Sequence, residues 1–170
     1  MLIINILIIK QIAQCQLKHV VGVLFVERLR YFLTQKVEGV PMAHLIIQYS
    51  ENLDSQVNMT NFCSVMSGVM QKTGLFPLAG IRVRAHPVMH RSIADEHPEN
   101  AFCDMILRMG EGRTDPQKSR VGTDIMAAAE AEFSVQLTNP YFALSLEITV
   151  ISKLLSWKKN SIHNRLKPNQ

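Results

Sequence analysis

The side chains in this sequence best suited to chemistry are arginines and histidines set at short intervals. Arg82, Arg84 and His86 alternate along Gly80–His86 (GIRVRAH), and Arg113 closes the segment Gly110-Glu111-Gly112-Arg113. A guanidinium forks onto a carboxylate through two hydrogen bonds, and it stabilises an oxyanion as charge develops there. A lone surface arginine is also an ordinary solvated charge, so context has to decide between the two readings. Residues two apart on a strand share a face, which makes Arg84 an electrostatic helper of Arg82. A second group, His86, His90, Asp95, Glu96 and His97, crowds one segment. Imidazole and carboxylate bind zinc, but the spacing fits no compact motif, and Pro87 and Pro98 break any shared helical face. The expectation there is a polar loop and no metal. Cys15, Cys63 and Cys103 form no C-x-x-C pair and cannot all be bridged. They read as reduced, small buried hydrophobes of a cytoplasmic protein. Gly110-Glu111-Gly112 is too short to cradle a phosphate.

Regular elements must position these residues. Ala43–Tyr49 (AHLIIQY) reads as a strand closed by Ser50-Glu51-Asn52. Asp54 and Ser55 are candidate caps for a helix running to about Lys72, with Val57, Phe62, Val65, Met66, Val69 and Met70 as its apolar stripe. Gly74 stops it, and Gly80–His86 is the next strand. The pattern repeats. Ala101–Met109 is a strand, and Asp115 precedes a long helix marked by Val121, Ile125, Met126, Ala129, Phe133 and Leu137. Asn139-Pro140 ends that helix, and Phe142–Val150 is a fourth strand. Each half fits a right-handed βαβ unit with parallel strands. Two halves predict an α+β fold, a four-stranded sheet with both helices on one face. The other face is then bare and apolar, and it needs a partner, either another copy or residues 1–42. Residues 151–170 are polar and basic; Lys158, Lys159, Arg165 and Lys167 read as solvated, and Trp157 as a contact for a neighbouring copy.

Composition divides the chain at about residue 42. The first 42 residues hold 25 apolar side chains, and they carry +3 of the total +4. The body, 43–170, is nearly neutral, which argues against a nucleic-acid surface. Leu2–Ile9 and Val20–Val26 each fall short of the roughly 18 residues of a membrane span, and no basic segment precedes Leu2 as a secretory signal requires. The expectation is an N-terminal extension over 1–42, with Met42 as the natural start, and an enzyme domain over 43–170.

The stretch Thr73–Arg84 (TGLFPLAGIRVR), with Ala101-Phe102, Gly110-Glu111-Gly112-Arg113 and Ala143–Ile148 (ALSLEI), resembles the 5-carboxymethyl-2-hydroxymuconate delta-isomerase family of the tautomerase superfamily. Ala43-His44-Leu45-Ile46 fits the family's start except at its first residue. The resemblance implies a tautomerase-like double βαβ fold, a homotrimer, a small anionic substrate, and neither metal nor organic cofactor. It also implies an isomerase catalysing a 1,3-proton shift in an unsaturated keto diacid or triacid, in aromatic-acid degradation. In the family a mature N-terminal proline is the base, and arginines matching Arg82 and Arg113 hold the substrate. Here Ala43 occupies the proline's position. A free Ala43 amine would serve as base or form an imine; within a longer chain it is an amide without basicity. The alternative is an impaired relative that binds small anions as a trimer. His44 either orients the amine or caps a strand edge. The resemblance further implies that Arg113→Ala costs rate at little cost in stability.

Overall fold

The computed structural model describes residues 42–166. The readings made for residues 1–41 and 167–170, Cys15 and the apolar runs among them, lie outside the described residues. The first strand, β1 (Ala43–Ser50), leads through a short 3-10 turn at Glu51–Leu53 into helix α1 (Met59–Lys72). Asn58 caps α1, its side chain accepting from the Asn61 N–H at 3.0 Å. That corrects the Asp54/Ser55 expectation. The Asp54 carboxylate is engaged by the Tyr49 hydroxyl at 2.7 Å, and Val57 falls before the helix. The buried stripe of α1 is Met59, Phe62, Met66 and Met70, at three- and four-residue spacing; Val65 and Val69 lie beside it, partly covered. Gly74 ends this segment at φ +67, a left-handed conformation that favours glycine.

After a turn at Leu78–Gly80 comes β2 (Ile81–Val88), then β3 (Ala101–Gly110) and α2 (Asp115–Glu132). Thr114 and Gln117 form a reciprocal capping box at the start of α2, with Pro116 in its first turn. Val121, Ile125 and Ala129 are its buried residues. The helix ends earlier than the apolar spacing suggests. The backbone leaves helical geometry at Phe133, and a separate turn, α3 (Ser134–Leu137), carries Leu137 out to 43% exposure. Strand β4 (Phe142–Ile151) and a short α4 (Ile162–Arg165) complete the described chain.

The sheet order is β2-β1-β3-β4. β1 pairs parallel with β2, β3 parallel with β4, and the halves join antiparallel through β1 and β3. This is the expected double βαβ arrangement. Ala43, Leu45, Ile47 and Tyr49 of β1 and Cys103, Met105, Leu107 and Met109 of β3 share one core with both long helices. Phe133 locks it, packing edge-on to Phe62 and tilted against Phe142, each at 5.0 Å. Pro87 is tolerated because β2 is an edge strand.

The face away from the helices corrects the expectation of a bare apolar surface. By alternation it carries Arg82, Arg84, His86 and Val88 of β2, His44, Ile46 and Gln48 of β1, Phe102, Asp104, Ile106 and Arg108 of β3, and Ser145, Glu147, Thr149 and Ile151 of β4. Five large apolar side chains lie among polar and charged ones, so the face is mixed rather than uniformly apolar.

Candidate active site

One end of the sheet gathers the residues singled out from the sequence. Ala43 opens β1, opposite Ile81 at the start of β2 and Met109 near the end of β3. Arg82 follows Ile81, and the loop after Gly110 carries Arg113. Strand register thus sets Ala43 beside Ile81, 38 residues away in sequence, with Arg82 next to it, while Arg113 is held by its own contacts to Gly110 and Leu75.

Each residue is held in a different way. The Ala43 methyl is fully buried in the core, which leaves the residue's polar contribution to its nitrogen. In the chain as it stands that nitrogen is acylated by Met42. Arg82 points to the polar face. Its Nη1 donates to Met42 Sδ at 3.0 Å and lies 2.9 Å from His44 Nε2. A guanidinium has no acceptor, so His44 Nε2 accepts and the imidazole proton sits on Nδ1. Burial, and then the charges of Arg82, Arg84, Arg108 and Lys158, hold the His44 pKa below its ordinary 6.5. His44 is thus a neutral imidazole that orients Arg82, not a cap on the strand edge.

Arg113 is half-buried at the rim. Its Nη1 donates to Gly110 O at 2.9 Å and its Nη2 to Leu75 O at 2.8 Å, with the guanidinium 5.0 Å over the Phe76 ring. Burial lowers its pKa from 12.5, but the group stays cationic. It staples the Gly110–Gly112 loop, where Gly112 has φ +100, to the connector before β2. The expectation that Arg113→Ala leaves stability almost untouched is corrected by these three contacts. Among the described residues no hydrogen bond joins Arg82 to Arg113, and neither is ion-paired.

The remaining candidates have local duties. Asp95 accepts from Asn100 Nδ2 at 2.8 Å and from the His97 N–H, Glu96 accepts from Ser92 Oγ, and His97 stacks on Tyr141 at 4.3 Å. The histidine-rich segment is a self-bonded loop. Cys103 is buried, which pushes its thiol up to about 12, and Cys63 is raised the same way; neither is poised as a thiolate. A cavity of about 710 Å³ lies elsewhere, between α1 and the β1–β2 edge. Tyr49, Cys63, Ser67 and Val83 line it without a charged group, so an anionic ligand has no counter-charge there. From the sequence Arg108 goes unmarked and Lys158 reads as solvated, yet the charges of both act on His44. The signal for Arg108 was a charge alternating with Asp104 and Ile106 inside an apolar strand.

Comparison with known proteins gives a consistent result. The model of the 5-carboxymethyl-2-hydroxymuconate isomerase family matches residues 43–166. The 5-carboxymethyl-2-hydroxymuconate Delta-isomerase of Escherichia coli is 30% identical over 122 residues, covering 72% of this chain and 97% of its own. A crystal structure of a 5-carboxymethyl-2-hydroxymuconate isomerase from Deinococcus radiodurans R1 superposes with a TM-score of 0.71 at 30% identity, over 76% of this chain and 97% of that one. A fused 4-OT, solved as a symmetric trimer, shares the fold alone, with a TM-score of 0.53 at 16% identity over 68% of this chain and 93% of that one.

Proposed function

The chain belongs to the 5-carboxymethyl-2-hydroxymuconate isomerase family, and from that premise we propose that it moves a proton between carbons of an unsaturated keto diacid or triacid such as 5-carboxymethyl-2-hydroxymuconate. The protein is an isomerase by family. The observation that supports the finer reading is that Ala43, Arg82 and the loop bearing Arg113 lie at the same end of the sheet. A base at residue 43 takes a proton from the carbon beside the carbonyl, charge spreads into a dienolate, and the proton returns two carbons away. Arg82 and Arg113 hold the carboxylates and stabilise the oxygen that gains charge. No cofactor enters this scheme. The assembly is a homotrimer, as in the fused 4-OT neighbour, and the setting is cytoplasmic aromatic-acid breakdown. Among the described residues no helix is long and apolar enough to cross a membrane.

The base requires the Ala43 nitrogen to be free. A terminal amine has a pKa of about 7.7–8.0, and an apolar setting lowers it, so a neutral, proton-accepting form exists near neutral pH. An amide has none of this basicity. The domain over 43–170 is therefore active when the bond before Ala43 is absent. The acylated nitrogen and the missing proline favour a second reading, a trimer that binds small anions without turning them over.

The test compares three proteins, the full chain, the chain beginning at Ala43, and that chain with Ala43→Pro. Each is assayed by the ultraviolet absorbance of 5-carboxymethyl-2-hydroxymuconate, with its N-terminus verified by mass spectrometry. Turnover is expected in the second protein and more in the third. Equal rates in all three remove residue 43 from the chemistry. Tight binding without turnover in any of them supports the binding protein.

A further inference from the structure

The polar face of the sheet holds more positive charge than this scheme uses. His44 on β1 is flanked in one cross-strand row by Arg82 on β2 and by Arg108 on β3. Strands spaced about 4.8 Å apart set that row over a patch about 10 Å wide. Arg84 stands two residues along β2 on the same face. The tail supplies a fourth cation. Lys153 N–H donates to Glu111 Oε1 at 3.0 Å, and Asn160 Nδ2 donates to Ala79 O at 2.8 Å. The residues between these anchors, Lys158 among them, pass from the β3–β4 side to the β2 side across the end of the sheet where Ala43 and Arg82 stand.

Among the described residues no acid is ion-paired to this group. The ion pairs found there are Lys118–Asp115 and Arg120–Asp124, both on α2. Asp104 and Glu147 share the sheet face in the neighbouring rows; the Ser145 hydroxyl donates to Asp104, and the hydroxyl of Thr149, which stands opposite Arg108, donates to Glu147. Cations gathered without a counterion repel one another, and an anion placed among them removes that cost. The Nδ1–H of His44 remains a neutral donor within the same group.

We infer that this row is a carboxylate subsite, in which Arg82 and Arg108 grip one carboxylate of a small polycarboxylate and Lys158 closes over it from the tail. It rests on the isomerase reading only for the identity of the ligand, since Arg82 is shared. Arg108, His44 and Lys158 are what the structure adds. Arg113 lies outside the row against Phe76, so a ligand that engages both positions carries at least two carboxylates.

The experiment titrates the full chain with tricarballylate, glutarate and inorganic phosphate as unreactive probes. Binding is read by calorimetry and by the fluorescence of Trp157, the chain's single tryptophan, which neighbours Lys158. Tricarballylate is expected to bind, and Arg108→Gln and Lys158→Gln are each expected to weaken it about tenfold, the loss of one charge-assisted hydrogen bond. Lys118→Gln, which removes an equal charge from α2, is expected to leave it unchanged. Circular dichroism verifies that each variant is folded. Tricarballylate binding that is indifferent to Arg108 and Lys158 overturns the subsite. So does phosphate binding as tightly as tricarballylate, which makes the row a general oxyanion sink. So does a fall in assembled mass in Arg108→Gln without any anion binding in the parent, which assigns the cations to the acidic side of a second copy. If tricarballylate binds through Arg108 and neither the full chain nor the chain beginning at Ala43 turns over substrate, the isomerase reading is refuted and the subsite stands.

Discussion

Replacing Arg113 by alanine tests two duties at once. The guanidinium donates to two backbone carbonyls, Gly110 O and Leu75 O, and lies over Phe76. A hydrogen bond from a charged group contributes about 1.5–3 kcal/mol when well buried, and a half-exposed cation–π contact contributes about 0.5–1 kcal/mol. The site is partly open, so water replaces much of the lost bonding at the two carbonyls. We expect a net loss of about 2 kcal/mol in Arg113→Ala after that discount. With a urea slope of about 1–3 kcal/mol per molar, the unfolding midpoint falls by about 1 M. Arg113→Lys keeps the charge but cannot fork to both carbonyls, and it should lose most of the same stability. The catalytic duty separates from this one. At 10 °C, where both variants remain folded, loss of a guanidinium that grips a substrate carboxylate costs about ten- to a hundredfold in kcat/KM for alanine and less for lysine. A midpoint within 0.3 M of the parent refutes the staple. An unchanged kcat/KM in folded Arg113→Ala removes Arg113 from the substrate site, whatever it does for the fold.

Stability should fall as pH drops below about 6.5, because His44 is held below that value when folded and regains it when unfolded, so the unfolded state takes up the proton first. The groups facing His44 are Arg82 and Arg84 from β2, Arg108 from β3 and Lys158 from the tail, and His44→Gln should flatten this limb of a thermal-melt pH series. Above pH 6.5 the imidazole is neutral in both states, and the substitution should not alter the pH slope. Phe133→Ala empties the contact between α1, α2 and β4 and should cost about 3–5 kcal/mol in chemical denaturation. Asn58→Ala should cost about 1 kcal/mol through the lost cap of α1, a change that melting curves resolve and that Ser55→Ala should not reproduce.

Much of the architecture was legible because its signals are local. Leu45, Ile47, Met105 and Leu107 alternate as half-buried strands do, and Phe62, Met66 and Met70 recur at helical spacing. The errors fell where several local choices are nearly equal. Asp54, Ser55 and Asn58 are all good caps, and the winner was decided by Tyr49, which claims Asp54 from across the β1 turn. Leu137 keeps the periodicity of α2, but the backbone at Phe133 turns before reaching it. The character of the uncovered face does not follow from the number of helices. The strands themselves already placed Gln48, Asp104, Arg108 and Glu147 on the uncovered side.

The site was legible in part, and the division has a physical cause. Arg82 and Arg113 sit in stretches of recognisable sequence, whereas Arg108 gains meaning only from register. His44 stands opposite Arg82 through a parallel pairing and opposite Arg108 through an antiparallel one, and no local pattern encodes that coincidence. A slip of one residue in β3 would turn Arg108 into the core and bring Met109 or Leu107 opposite His44. The burial of Met105, Leu107 and Met109 therefore fixes the position of the charge as firmly as it fixes the core. The hydrophobic side of the sheet sets the electrostatics of the other side, and burial together with those cations keeps His44 neutral beside the nitrogen of residue 43. Any substitution that shifts β3 by one residue should accordingly raise the His44 pKa and weaken anion binding together, while a surface change that leaves the register intact should move neither.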